Sequence, residues 1–254
     1  MCDVCVVNAV KEQMLSRRSF FKAGAVVAAA TVLGSSATST AMAAGHSNVL
    51  DMTHVYDAEF PTYGGSPGIS TKQMAQFAKD GYNLFELTIA EHTGTHIDAP
   101  LHFSADGQSV DEIPVTNLVC PLAVIDIAAR AADDADAQVT PDDIKAWIAA
   151  NGPIPDGACV AMHSGWAGKT GGAGFRNADG EGTMHFPGFH VEAAKMLIEE
   201  TNAISIAVDT LSLDFGASAD FATHYSWLPT NRYGIECLAG LDKVPAAGAT
   251  LVVG

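Results

Sequence analysis

His92 to Phe103 reads H-T-G-T-H-I-D-A-P-L-H-F, three histidines and an aspartate within twelve residues. Imidazole nitrogen with carboxylate oxygen suits Zn, Mn or Fe, whereas Ca and Mg favour all-oxygen sets. Core or loop histidines satisfied by hydrogen bonds are the better account of any one of these residues taken alone. Three imidazoles with Asp98, gathered around Gly94 and Pro100, favour a metal site. Spacing adds a condition. On a straight strand His92 and His96 would share a face but lie about 13 Å apart at about 3.3 Å per residue, too far for one ion. The chain must therefore coil. Gly94 admits backbone that other residues avoid and Pro100 blocks a helix, so a tight turn is expected to bring His92, His96 and Asp98 together, leaving His102 slightly displaced.

A hydrolytic metal site also needs an open position for water and a proton shuttle for the leaving group. His102 is the spare histidine. A second ion would need donors from elsewhere, and His224 and Glu236 are the candidates, because a carboxylate such as Asp98 or Glu236 can bridge two ions. Spacing alone equally allows surface roles for that pair. Tyr63, Phe103 and Trp166 are the candidate substrate contacts, while His185 and His190, flanking Pro187-Gly188, suit surface or capping roles.

The elements that must position these groups follow from periodicity. Asn83–Glu91 alternates Phe85, Leu87 and Ile89 and reads as a strand feeding the histidine turn, a rigid support for chemistry. Leu50–Thr53 reads as a short first strand, Leu122–Ile127 and Ala203–Val208 as buried strands, and Ala158–His163 and Thr250–Val253 as two more. Thr140 caps a helix that begins at Pro141 and stops near Ala150, and Val191–Thr201 is amphipathic. Asp209 ends a strand and is either a site residue or a turn aspartate. The glycine-rich stretch 165–182 is long for a connection without structure of its own, which marks a functional or mobile loop. Strands alternating with helices argue for one α/β domain.

The chain has 254 residues, 48% hydrophobic and 17% charged, enough for one domain with a full core. Ser16-Arg17-Arg18-Ser19-Phe20-Phe21-Lys22, the apolar run Ala23–Leu33 and Ala41-Met42-Ala43 form a twin-arginine export signal with its cleavage site. The run is shorter than the roughly 18 residues that a membrane span needs. Residues 1–43 are therefore expected to be removed, leaving a domain of residues 44–254 in the periplasm with no membrane anchor. Cleavage takes away Lys11, Arg17, Arg18 and Lys22 against Asp3 and Glu12, which shifts the net charge from −16 to −18. Such an acidic surface excludes nucleic acid and anionic membrane as partners and leaves a small molecule. Cys120, Cys159 and Cys237 have no C-x-x-C spacing; buried thiols are expected, with one disulfide as the alternative.

Taken together, these motifs resemble the cyclase family of metal-dependent hydrolases, which includes bacterial kynurenine formamidase and isatin hydrolase. The resemblance spans Asp51-x-Thr53-His54, the His92 core, the helix entry Gly188–Ala194, Val208-Asp209-Thr210-Leu211-Ser212 and Glu236-x-Leu238-x-x-Leu241-Asp242-x-Val244-Pro245. It implies an α/β fold with a mixed sheet flanked by helices, and homo-oligomers (dimers or tetramers) that share active-site loops. It also implies that His92, His96 and Asp98 hold one metal, that Asp98 bridges to a second held by His224, that Glu236 touches both, and that His102 transfers the proton. Zn2+, one or two per chain, is the implied ion, with Mn2+ the alternative. Tyr63-Gly64-Gly65 stands where formamidases usually carry Trp-Pro-Gly, and His163 where they often carry a basic residue. The expected activity is hydrolysis of a small amide, N-acyl or cyclic. An isatin-hydrolase-like enzyme with one Mn, or a non-catalytic periplasmic binding protein of the same fold, are the alternatives.

Overall fold

The structure is a computed structural model that describes residues 49–254; the export signal lies outside the described residues. Ten strands order the described residues. β1 (Ile69–Ala75) and β2 (Leu84–Ile89) form a separate antiparallel ribbon around the short helix α1 (Phe77–Asp80). Then come β3 (His96–Asp98), β4 (Val119–Asp126), α2 (Ala128–Asp133), β5 (Gln138–Val139), α3 (Pro141–Asn151) and β6 (Cys159–His163). β7 (Gly188–Phe189), α4 (Val191–Glu200), β8 (Ser205–Val208), α5 (Ala222–Trp227), β9 (Tyr233–Glu236) and β10 (Ala249–Val252) complete the order.

Six of the strands make one mixed sheet in the order β10-β4-β6-β8-β9-β3, parallel from β4 to β9 and antiparallel at both edges. The period of two splits its side chains between two cores. Ala123, Ile125, Val160, Met162, Ile206 and Val208 face α3 and α4; Cys120, Leu122, Val124, Ala161, Ala207 and Ile235 face Ile113, Leu238 and Leu241 on the other side. On β9, Glu236 and Gly234 point the opposite way from Ile235, and they pair with His96 and Asp98 of β3. A Cβ at Gly234 would come within 2.6 Å of Leu213 Cδ1, so only glycine lets that chain pass behind Asp98.

Local chemistry explains the helix ends. Thr140 and Asp143 form a reciprocal capping box at α3, with Pro141 in its first turn. His190 caps α4 by accepting the Glu192 N–H.

Several expectations need correction. Leu50–Thr53 is not a strand: the Asp51 carboxylate accepts from Thr53 N and Oγ1, and that local turn outcompetes a ladder. Leu84–Ile89 is a strand, but it lies outside the main sheet and every residue of it is exposed, so the rigid support of the histidine turn comes from β3 instead. The stretch 165–182 has structure of its own, a 3-10 turn at Trp166–Lys169, and two of its residues, Trp166 and Phe175, are buried against Phe60 and Phe186. The cysteines, by contrast, are as expected: all three described ones are free and buried.

Candidate metal centre

The turn expected at Gly94 forms with φ +66, and a Cβ there would strike the Tyr56 ring at 2.6 Å. Thr95 Oγ1 accepts from His54 N and donates to the Cys237 carbonyl, fastening the turn to the end of β9. His92 therefore folds back over β3, with its Nδ1 2.8 Å from Asp98 Oδ1 and 3.1 Å from His96 Nε2. His96 Nε2 lies 3.3 Å from Asp98 Oδ1 and 3.4 Å from Glu236 Oε2. From α5, His224 Nε2 comes within 3.4 Å of Asp98 Oδ2 and 3.3 Å of Glu236 Oε1. The structure thus brings five of the six candidate residues to one point at the sheet edge.

His102 is the sixth. Pro100 opens a single 3-10 turn, Pro100–Phe103, that sets the His102 ring 4.0 Å from the His92 ring, and one ligating atom each of Asp98, His102 and His224 lie within 4.8 Å of one another. His92, His96 and Asp98 form a second such group, so Asp98 is common to both.

Two orienting contacts went unread in the sequence. Asp214 Oδ2 lies 2.6 Å from His224 Nδ1 and also accepts the His224 N–H, while Oδ1 accepts from Thr223 N. A carboxylate can only accept here, so Nδ1 carries a proton and Nε2 is the nitrogen that faces Asp98 and Glu236. The Gly94 carbonyl fixes His96 in the same sense, 2.9 Å from its Nδ1. No periodicity marks Asp214, ten residues before its partner; the only signal was its place at the end of the Asp209–Asp214 stretch. Asp209 itself is structural: it is fully buried and accepts from Ser164 N, Ser164 Oγ and Trp166 N.

The electrostatics favour positive charge at this point. Asp98, Glu236 and His224 are all buried. Burial raises the Asp98 carboxyl, but the His224, His92 and His96 imidazoles outweigh it and hold the group well below the usual range. Burial, joined by the Asp98 charge, pushes Glu236 up. Burial lowers His96, yet Asp98 and Glu236 overcome it and carry that ring up to about 9. His102 goes the other way, to about 4, through desolvation, with only partial compensation from Asp98. Both Asp98 oxygens are buried, and none of the short approaches to them is aligned as a hydrogen bond. A buried carboxylate left without such neighbours costs several kcal/mol. Donors 2.8–3.4 Å apart match a tetrahedron with metal–ligand bonds of about 2.1 Å, whose edges are roughly 3.4 Å. The residues fit a divalent transition metal.

Of the expected substrate contacts, Phe103 stacks 4.6 Å from the His224 ring and 5.6 Å from Phe221, and Tyr63 lies 5.9 Å from Phe221. Trp166 does not join them. It is 1% exposed, its Nε1–H goes to the Phe175 carbonyl and Lys169 covers its ring, so its apolar bulk serves the core.

A family profile with the description "Putative cyclase" matches residues 50–215, the segment that carries the turn and all but the last two donors. The chain belongs to the cyclase family. Isatin hydrolase of Roseibium aggregatum is 33% identical over 199 residues, 74% of each chain. The solved isatin hydrolase A from Labrenzia aggregata, bound to benzyl benzoate, superposes with a TM-score of 0.75 at 35% identity, covering 80% of this chain and 85% of that one. Kynurenine formamidase of Salinibacter ruber is 47% identical, but over 49 residues only, 19% of this chain and 23% of its own. The cyclase domain here is therefore that of a metal-dependent hydrolase. Residues 14–34 match a twin-arginine translocation signal, so this cyclase-family protein is exported to the periplasm. Among the described residues no helix is long and apolar enough to cross a membrane.

Proposed function

We propose that the mature protein, beginning at Ala44, hydrolyses a small amide in the periplasm and that a cyclic amide of the isatin type is its substrate class. The observation that carries the reading is the convergence of His92, His96 and His224 on the unsatisfied carboxylate of Asp98, with Glu236 facing His96 and His224. The extent of likeness favours the cyclic amide, since it runs along most of the isatin hydrolase chain but along only a short stretch of the formamidase.

His92, His96, Asp98, His224 and Glu236 would hold Zn2+, with Mn2+ as the alternative, as two ions sharing Asp98 or as one. When bound, the ion lowers the pKa of water and polarises a carbonyl. The chain does the rest. Asp214 keeps His224 in the tautomer that presents Nε2, and the Gly94 carbonyl does the same for His96. Phe103, Phe221 and Tyr63 offer a wall of tilted aromatic rings beside His224 that suits an aromatic ring. His102, neutral at pH 7, takes a proton from the attacking water on an imidazole nitrogen and passes it to the departing amide nitrogen.

His102→Ala should keep its metal, read by elemental analysis, and lose roughly 10^2- to 10^4-fold in the rate of isatin ring opening. Turnover at the wild-type rate would sink the proton-transfer role, and no hydrolysis of isatin or N-formyl anilines by Zn- or Mn-loaded wild type would sink the enzyme reading in favour of a binding protein.

The exposed ribbon supports a homodimer. Met74, Phe77, Tyr82, Leu84, Phe85, Leu87 and Ile89 are each about half exposed or more. At about 100 Å² apiece they offer roughly 700 Å² of apolar surface, close to one side of a standard interface, and a twofold pairing would double it. An isolated two-stranded ribbon is at best marginal in water. A second copy is the occupant always present when the chain folds before export. Sedimentation of the mature protein tests this: a monomer rules it out, and a tetramer would add a second interface.

A further inference from the structure

Behind the Tyr63 loop, a cavity of about 520 Å³ is walled by His54, Phe60, Pro61, Gly171, Gly172 and Arg176, none of them a metal-centre residue. Arg176 sets its character. The guanidinium has five N–H donors, and its one bond among the described residues runs from Nη2 to the Tyr63 carbonyl at 3.0 Å. Its Nε is buried without a partner, and among the described residues no carboxylate forms an ion pair with it. In a chain of net charge −16 with 29 acidic residues, an arginine left unpaired in a cavity is unusual.

The head group is also held in place. Gly65 has φ +76, and a Cβ there would lie 2.9 Å from Arg176 Nη1, so the Gly64-Gly65 turn leaves room for the guanidinium to pack flat on backbone. His54, packed on Phe60 and Phe175 at 5.5 and 6.3 Å, leaves its Nε2 without a partner in the same wall. Phe60 and Pro61 supply apolar surface.

We propose that this cavity binds the carboxylate of a small organic acid, with Arg176 as its anchor. A guanidinium fork with free donors matches a carboxylate in a bidentate pair. The volume lies within the range of small-molecule sites. Asp57 and Glu59 on the rim are solvated and acidic, which disfavours a dianion such as phosphate and leaves a monoanion with an apolar body. Amide hydrolysis itself releases a carboxylic acid, so the ligand is either that product or a separate acid.

Calorimetric titration of the metal-loaded mature protein with benzoate, against isosteric but neutral benzamide, tests the site. Benzoate should bind at least about tenfold more tightly than benzamide and should still bind after the metal is removed by chelation. Arg176→Gln should weaken benzoate at least about tenfold. A Cβ at Gly172 would meet nothing within 4 Å, so Gly172→Asp puts a carboxylate into open space without touching Arg176 or its bond to Tyr63. That variant should also lose benzoate tenfold, and neutral Gly172→Asn should not. Equal binding of benzamide, indifference to both Arg176→Gln and Gly172→Asp, or loss of benzoate on chelation, which would place the acid on the metal, overturns the proposal. Product inhibition separates the two sources: tenfold relief in Arg176→Gln identifies the released acid, and unchanged inhibition with lost benzoate binding identifies a separate one. Benzoate binding in a protein that hydrolyses nothing would defeat the proposed reaction and leave this site standing.

Discussion

The histidine turn joins two regions built in opposite ways. On its amino-terminal side the ribbon β1–β2 ends at Ile89 with its apolar side chains in solvent; on the other, β3 places Asp98 at 1% exposure against β9. Only six residues, 90–95, separate the two. In the ribbon apolar groups have no cover, and in the site the two Asp98 oxygens have no aligned hydrogen bond. Both are unfinished surfaces, and each points to what completes it: a second copy for one and a cation for the other.

The contrast breaks most sharply at Asp98. Asp98→Asn keeps the volume but removes the charge shared by both ligand groups, so metal content should fall to background and hydrolysis by about 10^3-fold or more, the several kcal/mol that metal-ion catalysis supplies. Elemental analysis alongside a rate assay checks it. The ribbon answers next: Phe85→Ser with Leu87→Ser removes two large apolar groups and should raise the dimer dissociation constant at least about a hundredfold, read by sedimentation, with the far-ultraviolet spectrum unchanged. Asp214→Ala leaves His224 in place but frees its tautomer, and metal affinity should weaken about 10- to 100-fold in competition with a chelator.

The smallest effect belongs to a solvated pair. Asp136 raises the His185 ring, against slight desolvation, across a 2.7 Å contact. A raised folded-state pKa stabilises fully below the unfolded value, about 6.5, and that contribution is lost as pH rises through the folded value. The melting temperature should therefore drift slightly downward from pH 6 into the alkaline range, and His185→Gln should reduce that drift. At the surface the change stays small because solvent screens the pair.

Much of the sheet was legible because buried strands announce themselves by apolar runs: β4, β6, β8 and β10 fall within one to three residues of their expected bounds. The capping box at Thr140 and the cap at His190 were legible for a similar reason, since they are local. Trp166 misled because an aromatic after a strand end looks the same in sequence whether it lines a pocket or fills a core. Leu50–Thr53 misled because alternation in four residues is weaker than one Asx turn. The ribbon's strand was readable, but its exposure was not, since alternating Phe85, Leu87 and Ile89 ordinarily means a buried face.

By itself the sequence determined the donor types, the need for a turn at Gly94, the export signal and the family, all of which depend on neighbours in the chain. The resemblance named His224 and Glu236, but only the tertiary structure decided how they reach the Asp98 site from more than a hundred residues downstream, that Asp214 stands behind His224, and that Arg176 has no ion-pair partner among the described residues. Such contacts arise from strand order and register, in which β3 returns to pair with β9. Chain spacing carries no record of that pairing, because its stabilisation comes from burial shared across the whole sheet rather than from any local preference.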